Sequence, residues 1–449
     1  MTFGNILYKS FYWRAIQMGS SFVLNILIAR LLQSTNSAEF YSLLYILGLI
    51  TSFFTFGLDI GLNYFIARGQ LQLSTARRII IVITVVALVA GTGLLLLFHA
   101  WLPYSALSMG ILLIFAACQI AGTLLTILAG TVFTAVGQNH QPVKLAVYAN
   151  GLMILLALTN DHFFTGAQAV QNIYVLYCLV SVTQGLLVFI LSNRLGPAMK
   201  ERSSDMRSGG IEPLRVSARF LLRFCFFSFV INFLFFIGGR IGIYLLPYNT
   251  TPAALGNYIQ VFKLVEYMGL VTAFLYYPFV TLAASDEGPG SREKVLVLIR
   301  LSNTLVLLVC GLGAAVGYYI FPAVFGPSFG GMYAVFLAFI PGILALCSSS
   351  FLTAWYFGAG RIRYNLNSAI IQLGAGLLLY FLLTPSWGVS GAAWAYSGAA
   401  FASLAYDCIM FRQVHRFRLR DVLWIRQADW RLIWDFSGKV LRTSGGSAR

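Results

Sequence analysis

Charge is scarce in this chain, and the places it avoids are the most informative. Of 449 residues only 10% are Asp, Glu, Lys or Arg, while 59% are hydrophobic; soluble globular domains carry about 25% charged residues. So little charge excludes a water-soluble globular fold. Six short connections between apolar runs hold neither Lys nor Arg, among them 33–38, 159–171, 247–254 and 322–331. The chain also lacks a GxxxxGK[ST] phosphate cradle, which excludes ATP hydrolysis by this chain alone. It lacks HExxH and any CxxC or Cys/His spacing, so no metal site or cofactor is implied. The histidines, His99, His140, His162 and His415, are scattered through connections and the tail. Cys118, Cys178, Cys225, Cys310, Cys347 and Cys408 all fall inside apolar runs and read as small apolar fillers. No small-residue cleavage pattern follows the first apolar run, which therefore reads as an anchor.

What fills the chain is lipid-compatible sequence. Apolar runs long enough to cross a hydrocarbon layer of roughly 30 Å, about 20 residues each, recur twelve times. They lie near 11–32, 40–67, 79–102, 108–136, 143–160, 172–192, 219–246, 255–284, 295–321, 332–357, 365–384 and 390–411. The net charge of +16 would suggest nucleic acid as the partner of a soluble protein. Here the basic residues sit in every second connection: Lys9, Arg68, Arg77, Arg78, Lys144, the stretch from Arg194 to Arg219, Arg292, Lys294, Arg361, Arg363 and the tail from Arg412. By the positive-inside rule these connections and both termini are cytoplasmic, which predicts a multi-pass membrane protein.

An internal repeat divides the chain. Ser21-Phe22-Val23-Leu24-Asn25 in the first run returns as Ser228-Phe229-Val230-Ile231-Asn232 in the seventh, and Gly137 and Gly151 match Gly360 and Gly374 at the same spacing. The expected fold is all-α and polytopic: twelve transmembrane helices in two pseudo-symmetric six-helix lobes around a central cavity. The lobes are 1–192 and 219–411. The polar stretch 193–218, with Gly196-Pro197 and Ser208-Gly209-Gly210, is the cytoplasmic linker. Residues 412–449 carry nine basic and three acidic side chains, with Leu423, Trp430, Trp434 and Leu441 at helical intervals, and read as an amphipathic cytoplasmic tail.

Ionisable groups inside spans cost about 2.5–3.5 kcal/mol each near the bilayer centre, so each needs a partner or a wet cavity. The candidates are Arg14 and Arg30 in span 1, Asp59 in span 2, Arg223 and Arg240 in span 7, and Lys263 and Glu266 in span 8; Asp407, near the cytoplasmic end of span 12, reads as solvated. Arg14 and Arg223 occupy comparable places in the two halves, where a long side chain can reach lipid phosphates. Arg30 and Arg240 lie toward the outer ends, about 25 Å along each helix from the first pair, and suit a cavity. A guanidinium at each mouth would match an anionic headgroup through bidentate hydrogen bonds. Lys263 and Glu266 stand three residues apart on one helical face and can neutralise each other. Asp59, between Gly57 and Gly61, can accept a hydrogen bond from another span or hold a coupling cation.

Several segments resemble one known family. Phe325-Gly326-Pro327-Ser328-Phe329, Ile340-Pro341-Gly342-Ile343, Gly358-Ala359-Gly360-Arg361 and Gly388-Val389-Ser390-Gly391-Ala392-Ala393 are similar to the C-terminal half of polysaccharide exporters of the Wzx type, the O-antigen flippases of the multidrug/oligosaccharidyl-lipid/polysaccharide exporter superfamily. Ala29-Arg30-Leu31-Leu32, Phe40-Tyr41 and Gly57-Leu58-Asp59-Ile60-Gly61-Leu62 resemble its first two spans, and Gly256-Asn257-Tyr258 through Glu266 to Pro278 its eighth. One departure is Gln33-Ser34, where the family often has a glycine. The resemblance implies transfer of an undecaprenyl-diphosphate-linked glycan between leaflets by two lobes that open alternately. It implies membrane lipids as surroundings, and a polysaccharide polymerase and a chain-length regulator as partners. The alternatives are a cation-coupled multidrug antiporter of the same superfamily and a membrane glycan polymerase or ligase. The short, nearly uncharged outer connections offer an enzyme little platform, so a transporter is expected.

Overall fold

Without water, a backbone N–H or C=O left unpaired in lipid costs several kcal/mol, so apolar runs must be helical unless they close into a barrel. A computed structural model of the chain describes residues 3–97, 108–195, 218–285 and 289–414. The amphipathic helix expected in the tail lies outside the described residues, as does most of the 193–218 linker. Eleven α-helices follow in order: α1 (Phe3–Thr55), α2 (Leu58–Ala67), α3 (Leu73–Leu97), α4 (Met109–Ala135), α5 (His140–Phe163), α6 (Gly166–Ser192), α7 (Ala218–Leu245), α8 (Pro252–Ser285), α9 (Pro289–Phe325), α10 (Met332–Gly358) and α11 (Ile362–Val414).

Two of these are too long to be single crossings. α1 and α11 each have 53 residues, about 80 Å of helix at 1.5 Å per residue. Each contains one residue with non-helical angles, Gln33 at φ 57° and Gly388 at φ 54°. Divided there, each gives two crossings. The second crossing of α1 continues into α2 after a break at Phe56 and Gly57, both at positive φ. With α3 to α10 the twelve expected spans appear in order, and the chain is an all-α, multi-pass membrane protein with two six-helix lobes.

By contacts the chain separates into two compact units, 1–32 with 39–233 and 33–38 with 234–449. In the first, α4 is the hub, packing on α2, α3, α5 and α6; in the second the hub is α10, packing on α8, α9 and α11. Both hubs end alike, as the internal repeat requires. Gly137 at φ 81° and Gly360 at φ 68° each follow a hub helix. Gln138 N–H donates to the Phe133 carbonyl at 2.8 Å, and Arg361 N–H donates to the Tyr356 carbonyl at 2.8 Å, the paired Schellman pattern that satisfies a helix's last carbonyls. Outer helices show the membrane's inverted amphipathicity. On α3, Ala76, Thr84, Ala87 and Gly91 are buried, while Val82, Val85, Val86 and Val89 are exposed where lipid would lie.

Pro341 breaks the hydrogen-bond ladder of α10 from within. Ser397 of α11 repairs it: Gly342 N–H donates to Ser397 Oγ at 3.0 Å, and Ser397 Oγ donates to the Ala338 carbonyl at 2.7 Å. A hydroxyl from one helix thus stands in for a missing turn of its neighbour.

Gln33 is strained. At φ 57° and ψ −179° it occupies a region used almost only by glycine, at a cost of about 1–3 kcal/mol. The neighbouring bend is pinned: Ser34 N–H donates to Ser328 Oγ at 3.1 Å, and Gln260 Nε2 donates to Ser37 Oγ at 2.9 Å. Because the Gln33 side chain is exposed, Gln33→Gly should relieve the strain at little loss of packing. Glycine's extra freedom in the unfolded chain offsets about 0.5–1 kcal/mol of the gain. The expected result is a higher melting temperature in detergent, by an amount equal to about 1 kcal/mol; a lower one would mean that the Gln33 side chain itself is needed.

Candidate functional site

The charged groups within spans do not behave alike. On α7, Arg240 follows Phe236 by one turn, which sets its guanidinium over the Phe236 ring at 4.0 Å and 5.8 Å from the Phe262 ring of α8. Nη1 donates to the Phe236 carbonyl at 3.3 Å, and Nη2 donates to Glu266 Oε1 at 2.5 Å. The aromatic faces and the carboxylate together hold the guanidinium plane. Their side chains are 21% and 32% exposed. The sequence spacing pairs Glu266 with Lys263, but the structure gives the carboxylate to Arg240. Lys263 stays on the same stretch of α8, half-buried and within the field of Glu266. Arg240, Lys263 and Glu266 thus lie together on neighbouring stretches of α7 and α8.

The other candidates are placed separately. Asp59 lies in the first turn of α2, beside the backbone N–H groups of Asp59 and Ile60, where the helix N-terminus favours a carboxylate. The break at Phe56–Gly57 creates that N-terminus, so the Gly-x-Asp pattern has a local reason. Arg30 is exposed on α1, Arg14 is half-buried one helical leg away, and Arg223 is exposed on α7. Arg14, Arg30, Asp59 and Arg223 all belong to the first unit, and Arg240, Lys263 and Glu266 to the second.

Asp407 corrects the sequence reading. It is not solvated but fully buried at 0% exposure. Ser349 Oγ of α10 donates to its Oδ2 at 2.5 Å, and the Tyr356 hydroxyl donates to its backbone carbonyl at 2.5 Å. Its Oδ1 is buried with no hydrogen-bond partner among the described residues. Span 12 packs its last turns against α10, through Trp355, Tyr356, Cys408 and Phe411, which encloses a residue that proximity to the helix end would place in water. Sequence reasoning also passed over Arg300 on α9, which is 1% exposed. Lying soon after Arg292 and Lys294, it looks like one more cytoplasmic-side charge, and only tertiary packing shows that it is buried. The cysteines are free; five are buried, and Cys118 is half-buried.

No protein-family model matches the sequence, and no curated protein matches it. Solved structures match over nearly the whole chain. The fold is similar to that of the lipid II flippase MurJ in an inward closed conformation, with a TM-score of 0.62 and 11% identity over 93% of this chain and 88% of that one. It is similar to an inward-facing multidrug resistance MATE family transporter of the MOP superfamily, with a TM-score of 0.61 and 12% identity over 89% and 95%. The MATE transporter ClbM in complex with Rb+ gives a TM-score of 0.56 and 13% identity over 94% and 96%. At such identities the likeness shows the fold alone, which this chain shares with these structures.

Proposed function

We propose that the chain is a flippase that moves a lipid-diphosphate-linked oligosaccharide from the inner to the outer leaflet of a bacterial inner membrane, for cell-surface polysaccharide assembly. One observation carries this reading: the Arg240 guanidinium, paired with Glu266 and set by the Phe236 and Phe262 rings, has Lys263 on the same stretch of α8 as its carboxylate partner. A guanidinium within a span must keep a partner, and a diphosphate is an anion whose geometry suits it. As the diphosphate takes Arg240, Glu266 transfers to Lys263 one turn away, so every charge keeps a partner. Arg14, Arg30 and Arg223, in the first unit, are further phosphate-binding candidates on this reading. Alternating access requires similar affinity for the cargo in both conformations, because a ligand shifts the equilibrium only by its differential affinity. Both termini lie in the cytoplasm on this reading, and a polysaccharide polymerase and a chain-length regulator act downstream.

A second reading, cation-coupled multidrug antiport, draws support from Asp407, a carboxylate buried at 0% exposure within the second unit. A membrane glycan polymerase or ligase finds less support, because the outer connections are short and carry almost no charge. The deciding experiment uses purified protein in liposomes loaded with a fluorescent undecaprenyl-diphosphate oligosaccharide, and in parallel with a cationic dye. Transfer of the glycolipid to the opposite leaflet without dye transport is expected. Dye transport with no glycolipid transfer would reverse the order, and lengthened glycan products would point to the enzyme.

A further inference from the structure

The first unit contains a cavity that the diphosphate reading does not use. It measures about 200 Å³ and is lined by residues of α1, α4, α5 and α6. Its polar lining comes from Gln119, Thr123, Thr126, Asn150, Ser181 and Gln184, joined by Tyr177; none of the lining residues is charged. In a chain of net charge +16 that neutrality discriminates. The cavity has no cation for a phosphate and no carboxylate for a cationic drug, and Leu24, Ile127, Met153 and Val180 supply its apolar wall.

Part of the lining is held in place and part has spare hydrogen-bonding capacity. Asn150 Nδ2 donates to Ser20 Oγ at 3.0 Å and Ser21 Oγ at 2.9 Å, Gln119 Nε2 donates to the Tyr177 carbonyl at 3.4 Å, and Thr126 Oγ1 donates to the Gly122 carbonyl at 2.8 Å. Thr123, Ser181 and Gln184 make no side-chain hydrogen bond among the described residues, leaving two hydroxyls and a whole amide. Their positions follow from a close helix crossing: a Cβ on Gly185 of α6 would stand 2.6 Å from the Gly122 carbonyl oxygen of α4. Only glycines permit that approach, and it brings Thr123 and Gln184, their immediate neighbours in sequence, into one wall. The Tyr177 ring, packed at 5.3 Å from Phe40, is a rigid aromatic surface at the same site.

We propose that this cavity is a saccharide subsite, taking one uncharged, hydroxyl-rich sugar ring of the cargo. The proposal rests on the flippase reading and gives the sugar part of the cargo a subsite within the first unit. Drug-sized ligand pockets span about 300–1,000 Å³, so this smaller space admits a single ring and not the whole glycan. Thr123, Ser181 and Gln184 satisfy its hydroxyls, and Tyr177 covers a C–H face.

The test measures binding to the full chain in nanodiscs, with bare undecaprenyl diphosphate and with the same lipid bearing one glucose, galactose or N-acetylglucosamine. At least one sugar-bearing probe should bind about 10-fold tighter than the bare lipid. Thr123→Val, which keeps the side-chain volume, should reduce that preference about 5-fold, the effect of one neutral hydrogen bond; adding Gln184→Leu should abolish it. Affinity for the bare lipid should be unchanged in both variants. Equal affinity for all probes in the wild type, or a preference that survives in a folded double variant, overturns the subsite and leaves the flippase reading standing. Failure to bind even the bare lipid removes both.

Discussion

Valine at position 57 is expected to leave almost no folded protein in the membrane. Gly57 sits at φ 69°, and a Cβ there would overlap the Cys225 carbonyl of α7 and lie 3.0 Å from the Phe229 nitrogen. The obstruction is backbone, which cannot rotate away as a side chain could. A left-handed β-branched residue costs about 1–3 kcal/mol, and forcing two helices apart adds about 1–3 kcal/mol. Together these approach the 5–15 kcal/mol that typically holds a whole domain. The damage would also spread, because Phe56 stacks on Phe229 at 5.0 Å and Tyr64 on Phe224 at 5.1 Å. Gly360→Ala is the internal control: its φ is 68°, but nothing lies within 4 Å of the added Cβ, so only the left-handed cost of about 1–2 kcal/mol applies. Size-exclusion profiles of fluorescently tagged protein in detergent check both. A normal peak for Gly57→Val would show that α7 does not depend on that close approach.

Gly57 also shows which parts of the molecule can be read from the chain. Twelve apolar runs announce twelve crossings, because hydropathy over about 20 residues is a sum that single residues cannot mask. The matched glycines 137 and 360 announce the repeat, and both prove to be left-handed caps of equivalent helices. The break between Thr55 and Leu58 leaves no mark in hydropathy. It interrupts the second span without interrupting its apolar character, and only the flanking glycines around Asp59 hint at it. Gln33 goes further, because a residue type that disfavours φ 57° conceals a turn that glycine would have advertised.

Charge partners were legible only where they are local. The i, i+3 rule pairs Lys263 with Glu266 because it sees a single helix. Arg240 is 26 residues earlier on a different helix, and only the packing of α7 on α8 brings it to the carboxylate. Asp407 and Arg300 fail for a related reason. Depth along a helix can be estimated from sequence, but whether a face meets lipid, water or protein depends on neighbours contributed from far along the chain. The neutral cavity was hidden too, since Thr123, Ser181 and Gln184 carry no charge to draw attention and lie on two separate helices.

Arg240→Ala should lower surface glycan export about 10- to 100-fold. Hydrogen bonds to charged groups contribute about 1.5–3 kcal/mol, and each 1.4 kcal/mol is a factor of ten. The same substitution has a structural effect that must be separated from the functional one. It takes the Arg240 partner from Glu266, at a cost between the roughly 1 kcal/mol of exposed pairs and the 3–5 kcal/mol of buried ones. Because these side chains are 21% and 32% exposed, the cost lies between those limits, and some loss of folded protein is expected. Arg240→Ala combined with Glu266→Gln removes both charges and so relieves the structural penalty. The double variant should recover the wild-type level of inserted protein while export stays low, because no guanidinium remains to meet the diphosphate. If export returns along with the folded protein, the pair is scaffold, and Arg240 has no part in holding cargo.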